Sequence, residues 1–473
     1  MKIKSFFLTF MAVIAFSACN NEIVSPTPNI EEKVEGYLML NLADPVKTRT
    51  SVPGGGSVDY GTTEENTISG LTVVLTNEAG DIFSVIKSGI TDKKSDLIKT
   101  EVGEYYVYAL VNSDVDVKVG ENIERVIAVA AAADATSGFK NGKFLMVNQR
   151  NSSGNAGVMA TVSESNTIDE PLEVKISVDR AACKIVYEEN DPNIEKLVIS
   201  TGGIIDEVEV VGLTLLNVNT KFNLIQSWSK DNTDGLLLDA EVLSTPLHPD
   251  RETGKIADQY FHNIGDYTEL TKTGNDITGI TDLTIGKEND IFGKTPVYTT
   301  ENRPTIFSME DGALNAGRGE TTGVIYKVQA KKDNENVSTF YKYKKVIYTD
   351  IANIQALTDF DEETLGDLEA PELRALGINV YENGVIYYTY FIRDPNVAHQ
   401  YNGKNYYGVF RNSSYKLAVN SISSLGDDVP GGAIVDPETP GEPGNPPINT
   451  EETYLQVVLE VNKWVVSNIV IDF

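Results

Sequence analysis

Disulfides, metal sites and a basic surface are all poorly supplied in this 473-residue chain. It has two cysteines, Cys19 and Cys183, and the first closes an amino-terminal leader, so no disulfide framework can staple the mature protein. The three histidines, His248, His262 and His399, are isolated, and none forms a metal-binding pair at helical spacing. Lys and Arg number 39 against 69 Asp and Glu, a net charge of −30, which argues against nucleic acid or an anionic lipid surface as partner. A charge of that size suits solubility and mutual repulsion at a crowded surface. No Gly-x-Ser-x-Gly elbow or phosphate loop occurs, and Gly317-Arg318-Gly319 lacks the third glycine of a dinucleotide fold. With 69 acids, proximity in sequence does not single out a glycosidase pair. We expect no enzyme, no cofactor and no metal.

Long apolar runs are also missing after the leader, MKIKSFFLTFMAVIAFSAC. Lys2 and Lys4 precede an apolar stretch from Phe6 to Phe16, and Ser17-Ala18 are small residues before Cys19. About a dozen apolar residues cannot cross ~30 Å of hydrocarbon. The pattern resembles a lipoprotein signal, in which Cys19 is acylated (a palmitate-type anchor) and residues 1–18 are lost; the alternative is an ordinary signal cut near Ala18. The membrane then enters only through the lipid of the precursor.

What the chain has in quantity is Gly, Thr, Asn, Val and 22 tyrosines, a strand-and-turn composition. Short period-two runs are separated by Gly, Asn and Asp: Leu71 to Leu75, Tyr105 to Val111, Val174-Ile176-Val178, Val208 to Val218, Val324 to Val328 and Tyr341 to Tyr348. Helix is expected only over Ile123 to Ala135 and roughly Asp361 to Leu376, the latter interrupted by Pro371. No βαβ rhythm appears. The expected fold is mainly β: two β-sandwich domains with a few short helices, divided as a tether and first strand (19–49), an amino-terminal domain (50–177), a carboxyl-terminal domain (178–425), a Pro/Gly-rich acidic connector (426–453) and a terminal strand region (454–473).

Two strands at the ends stand out. The last segment, YLQVVLEVNKWVVSNIVIDF, carries Leu455, Val457, Leu459, Val461, Val465, Ile469, Ile471 and Phe473 at odd positions, with Trp464 between them. Twenty extended residues would span ~65 Å against ~17–20 Å for an ordinary strand, so it is two strands, or one strand and a segment that leaves its domain. Near the other end, VEGYLMLNLA sets Leu38, Leu40 and Leu42 on one side and Tyr37 and Asn41 on the other. It is followed by DPVKTRTSVPGGGS, in which Arg49 precedes Thr50 in a stretch open to protease. A cut there would remove the first strand and leave an apolar groove with unpaired backbone, a template for an incoming strand. The terminal strand of another copy could fill it; eight apolar side chains at ~1.5–3 kcal/mol give ~12–24 kcal/mol gross. A connector of about 27 residues reaches ~30 Å, and a head-to-tail contact grows a filament. The plainer alternative is that both strands are members of their own sheets and Arg49 is an ordinary loop residue.

Several motifs in order resemble the Bacteroidales fimbrillins: the leader ending at Cys19, the strand before Thr48-Arg49, GEYYVYALVN (103–112), FLMVN (144–148), VDRAACKIVY (178–187), YENGVIYYTYFI (381–392) and YGVFRNSSYKLAVNSISSLG (407–426), then the proline-rich stretch and Trp464-Val465-Val466. The resemblance implies transthyretin-like domains, export as an outer-membrane lipoprotein and an arginine-specific surface protease acting between Arg49 and Thr50. It also implies a fimbria in which the carboxyl-terminal strand replaces the removed one. Its partners would be other copies, fimbrial anchor and tip subunits, and adhesion ligands on host or bacterial cells. Possession of both a removable strand and a tail favours a stalk subunit over a tip or anchor. The competing reading is a non-polymerising surface lipoprotein binding glycan or host protein, with Tyr401, Tyr406 and Tyr407 as stacking surfaces. Cys183 is expected in the core.

Overall fold

The computed structural model describes residues 34–43, 58–59, 61–128, 144–148, 156–187, 196–197, 201–216, 218–219, 224–225, 261–262, 297–302, 306–308, 314–316, 321–357, 360, 364–394, 400–401, 404–429, 455–464 and 470–471. These residues form a β protein with a few short helices.

In the amino-terminal half the main strands are β1 (Glu35–Ala43), β2 (Leu71–Thr76), β3 (Ile82–Ser88), β4 (Lys94–Ser95), β5 (Ile98–Glu101), β6 (Gly103–Val111), β7 (Met146–Asn148), β8 (Val158–Val162) and β9 (Leu172–Arg180). They join in the order β3-β2-β6-β7-β9-β1-β4, with β8 also on β6 and β5 also on β1. Strand β9 serves both layers: Leu172–Ser177 pair with β1, and Val178–Arg180 pair with β7. Its alternation explains how. Val174, Ile176 and Val178 turn into one core, whereas Glu173 and Lys175 face out. That core also holds Leu38, Leu40, Leu42, Val73, Leu75, Val107, Leu110 and Phe144.

The chain changes sheet at Ala181. Beyond it come β10 (Ala182–Tyr187), β11 (Glu207–Leu216), β12 (Val297–Thr300), β13 (Gly323–Lys332), β14 (Val385–Phe391), β15 (Ser413–Ile422) and β16 (Leu455–Trp464). One sheet runs β12-β10-β15-β16, with β10 parallel to β15 and β16 antiparallel to it. The other sets β13 between β11 and β14, both antiparallel. Between these sheets lies a second core of Cys183, Ile185, Val210, Tyr326, Val328, Tyr388, Tyr415, Leu417 and Val419. Cys183 is 0% exposed there and burial pushes its thiol pKa up, so it is an inert packing residue.

Two local expectations need correction. The run Tyr341 to Tyr348 is a hairpin, Phe340–Tyr343 and Val346–Tyr348, turning at Lys344 and Lys345 with φ of 49° and 68°. Two left-handed central residues make the tight hairpin turn that Asn or Gly usually supplies, so lysines concealed it. Pro371 does not interrupt a helix but lies in the first turn of one, Ala370–Ala375, where its missing N–H costs nothing; a separate short turn, Leu365–Asp367, precedes it. The helix expected from Ile123 is present over Ile123–Ala128, and 129–135 lie outside the described residues.

Tyr415 ties the second core together. Its hydroxyl donates to Asp394 Oδ2 at 2.8 Å and accepts from the Phe410 N–H at 2.8 Å, wholly out of water. Tyr415→Phe should cost ~1–3 kcal/mol in urea unfolding, because it removes two buried hydrogen bonds, one of them to a carboxylate; a loss under about 0.5 kcal/mol would contradict this role.

Candidate functional site

β1 is an interior strand. Gly36, Leu38, Leu40 and Leu42 are buried while Tyr37, Met39 and Asn41 are half-exposed, and the three leucines are 0% exposed. On one side it runs parallel to β9, Leu38 beside Leu172, Leu40 beside Val174 and Leu42 beside Ile176. On the other, Glu35 to Leu38 pair antiparallel with β5 and Asn41 pairs with Lys94. Further bonds seal that edge: Leu42 N–H donates to Lys93 O at 2.8 Å and Leu40 N–H to Ser95 Oγ at 2.9 Å. At Gly36 a side chain would collide, since a Cβ would stand 2.5 Å from Val162 Cγ1 and 2.9 Å from Ser163 O. Burying the three leucines is worth ~5–9 kcal/mol gross, of the order of a whole domain's net stability, ~5–15 kcal/mol.

The carboxyl-terminal segment is two strands. β16 pairs with β15 over nine positions, Val457 beside Val419, Leu459 beside Leu417 and Val461 beside Tyr415. Lys463 and Trp464 also receive Val58–Asp59 in parallel, and the short strand Val470–Ile471 lies parallel to Thr67–Ile68. Leu455 is therefore on β16 with Val457, Leu459, Val461 and Trp464, in a different sheet from β1, and Ile471 is on the short strand. Cys19, Arg49, Thr50, Val465, Ile469 and Phe473 lie outside the described residues, as do His248, His399 and residues 430–453.

The start of the connector is firmly held. Asp428 accepts from Arg374 Nε at 2.6 Å, Val380 N–H at 2.7 Å and Asn379 Nδ2 at 3.0 Å. Tyr381 and Tyr388 hydroxyls donate to the carbonyls of Gly426 and Ser424, each at 2.9 Å. Of the tyrosines weighed as stacking surfaces, Tyr407 is buried, with the Arg393 guanidinium 5.3 Å from its ring, which removes it as an exposed platform. The side chains of Tyr401 and Tyr406 are outside the described residues.

A buried charge cluster joins the two halves just after the Arg49 region. The short helix Thr63–Asn66 opens with a capping box between Thr62 and Glu65. Glu65, 0% exposed, meets Lys184 Nζ at 2.9 Å and the Tyr298 hydroxyl at 2.6 Å. Lys184 also reaches Asp59 at 3.2 Å, and Arg180 donates through Nε to Glu65 O at 3.1 Å and to Asn66 Oδ1. Two cations thus face two anions. Burial draws the Arg180 pKa down to about 10, with Glu65 and Asp59 opposing, so it stays charged at neutral pH. Burial acts to raise the Asp59 carboxyl, yet the Gly61 N–H and Lys184 outweigh it and hold it below the usual range. Strand alternation gives no sign of this cluster. Its signals were the Thr-x-x-Glu spacing at Thr62 and Glu65 and a lone arginine closing an apolar strand.

Residues 379–468, which take in β14, β15, the connector and β16, match the model of the family described as major fimbrial subunit protein type IV, fimbrillin, C-terminal. The match covers less than half of the chain. No curated protein matches the chain. Among solved structures it is similar to a fimbrilin of Porphyromonas gingivalis W83 (12% identity, 92% of this chain and 99% of that one, TM-score 0.45). The tip fimbrial protein of Porphyromonas gingivalis with a carboxyl-terminal truncation aligns at 10% identity over 91% and 100%, TM-score 0.41. A candidate cell adhesion protein of Parabacteroides distasonis ATCC 8503 aligns at 14% over 91% and 99%, TM-score 0.45.

Two outcomes are expected of these two sites. Leu40→Ala should lower the unfolding free energy of the uncut protein by ~2–5 kcal/mol and have no effect once residues 1–49 are removed; equal losses in both forms would show that Leu40 acts elsewhere. Glu65→Ala should cost ~3–5 kcal/mol in chemical denaturation, because it leaves two buried cations, Lys184 and Arg180, facing the single carboxylate of Asp59; an unchanged midpoint would mean that Asp59 alone balances them.

Proposed function

We propose that the chain is a stalk subunit of a bacterial surface fimbria that polymerises by strand replacement. It is exported as a lipoprotein acylated at Cys19, docks at the outer membrane, and is cut between Arg49 and Thr50 by an arginine-specific surface protease. The cut frees β1 and its lipid from the rest of the chain. The terminal segment of another copy then takes the vacated path, and repetition gives a filament with anchor and tip subunits at its ends and adhesion to host or bacterial surfaces as its use.

The observation that carries this reading is that β1 is paired on both edges and supplies three fully buried leucines, while the chain that follows it carries Arg49. A peripheral strand could be trimmed with little consequence. An interior one leaves two half-ladders and an apolar trench, and the way to restore both without unfolding is another strand. After the cut β1 is held only by non-covalent contacts, so its exchange has the slowness of local unfolding. The new amino end is kept in place by the Asp59–Lys184 and Glu65–Lys184 ion pairs.

Arg49→Ala should leave lipid-attached, full-length monomer and no SDS-resistant ladder when the protein is displayed with its protease. A ladder of wild-type length from that variant would overturn the maturation scheme.

A further inference from the structure

We infer that Lys184 and Asp59 condense to a side-chain amide in the folded chain, with Glu65 carrying the protons. The bond joins the segment that follows the Arg49 region to β10, the strand that opens the second sheet. It needs neither proteolysis nor a second copy, so it stands or falls apart from the function proposed above.

The junction cluster holds the parts that such a condensation requires. The nucleophile is the amine of Lys184, a strand residue that is 7% exposed. Its Nζ stands 3.2 Å from Asp59 Oδ2, and 2.9 and 3.1 Å from the two carboxylate oxygens of Glu65. Glu65 is fixed in place, because the Thr62 N–H donates to Oε2 at 2.8 Å and the Tyr298 hydroxyl to Oε1 at 2.6 Å. One carboxylate is therefore held as a proton carrier while the other presents its carbon to the amine. Charge developing on Asp59 Oδ1 meets the Gly61 N–H, which already donates to that oxygen at 2.8 Å. A second donor is Ser414, the neighbour of Lys184 across the ladder to β15. Its hydroxyl is buried beside Asp59 and makes no hydrogen bond of ordinary geometry. A hydroxyl left unsatisfied out of water is costly, and the amide oxygen formed at Asp59 gives it an acceptor.

The balance closes without an added reagent. Asp59 starts ionised, since its carboxyl is held below the usual range. The Lys184 ammonium gives up two protons, and Glu65 passes both to Asp59 Oδ2. The Nζ–Cγ bond forms, the Cγ–Oδ2 bond breaks, Oδ2 leaves as water, and the nitrogen keeps its remaining hydrogen. Nothing is oxidised or reduced. Two effects favour the amide. Amine and carboxyl held side by side react with an effective molarity on the order of 10⁵–10⁸ M when well oriented. An ion pair out of water also carries the desolvation of both charges, which a neutral amide does not. Condensation leaves Arg180 facing Glu65, one cation and one anion, where two of each were buried.

The test is peptide mapping by mass spectrometry on the full chain, unfolded and digested with trypsin. The peptides containing Asp59 and Lys184 should appear joined, one water lighter than their sum, with no cleavage after Lys184. Lys184→Arg keeps the buried cation but offers no amine, and should release the two peptides separately. Glu65→Gln keeps a hydrogen-bonding side chain that carries no proton, and should lower the joined fraction about tenfold or more. Separate peptides of full mass from the wild-type chain overturn the inference, whatever the variants do. A join that survives Glu65→Gln undiminished, or that maps to Glu65 in place of Asp59, overturns it as well. None of these outcomes bears on whether cut chains polymerise, so this inference and the proposed function fail separately.

Discussion

The ladder between β1 and β9 is the contact on which the amino-terminal domain closes. β9 spends its first six residues on β1 and its last three on β7, so it is the seam between layers. Without β1 that seam has nothing on one side, and Ile98, Val174 and Ile176 face the space left by Leu38, Leu40 and Leu42. The same geometry that makes the precursor stable makes the trimmed protein incomplete. Under the proposed function, a subunit built this way would fold with its own strand in place and become reactive toward other subunits only after proteolysis, which would separate folding from assembly in time.

The charge cluster at the junction complements that device. Asp59, Glu65 and Asn66 follow the Arg49 region closely in sequence, and they bind Lys184 and Arg180 at the point where the chain crosses from the first sheet to the second. Loss of β1 therefore leaves the new amino end fastened. Asn412 strengthens the same joint, donating to Asp179 Oδ1 at 2.8 Å and, from its backbone, to Ala182 O at 2.8 Å. At the other end of the carboxyl-terminal domain Asp428 fixes where the connector departs. Tension applied to a tail seated in another subunit would be delivered to that anchor and, through β16 and β15, to a nine-position ladder.

Much of the β architecture was legible because alternation in a half-buried strand is a direct consequence of the pleat. Val174-Ile176-Val178 and Leu38-Leu40-Leu42 announced both their conformation and their inward face. What was hidden depended on tertiary context. Lys344-Lys345 in a left-handed turn carry no turn chemistry of their own, and Pro371 breaks or begins a helix according to where the helix starts. Gly36 gave no warning, because a glycine in a strand acquires meaning only from Val162 and Ser163, which approach it from far along the chain. The buried ions were half-visible: the capping spacing at Thr62 and Glu65 and the position of Arg180 were in the sequence, but their meeting was not.

The central claim is that the edge of β9 is covered by β1 in the precursor and by another copy's tail in the polymer. Amide hydrogen exchange over Leu172–Ser177 tests this most directly, compared in the uncut chain, in the Arg49-cut chain stripped of residues 1–49, and in assembled polymer. The account predicts slow exchange in the first, faster exchange in the second and slow exchange restored in the third. Protection that is the same in all three states would contradict it.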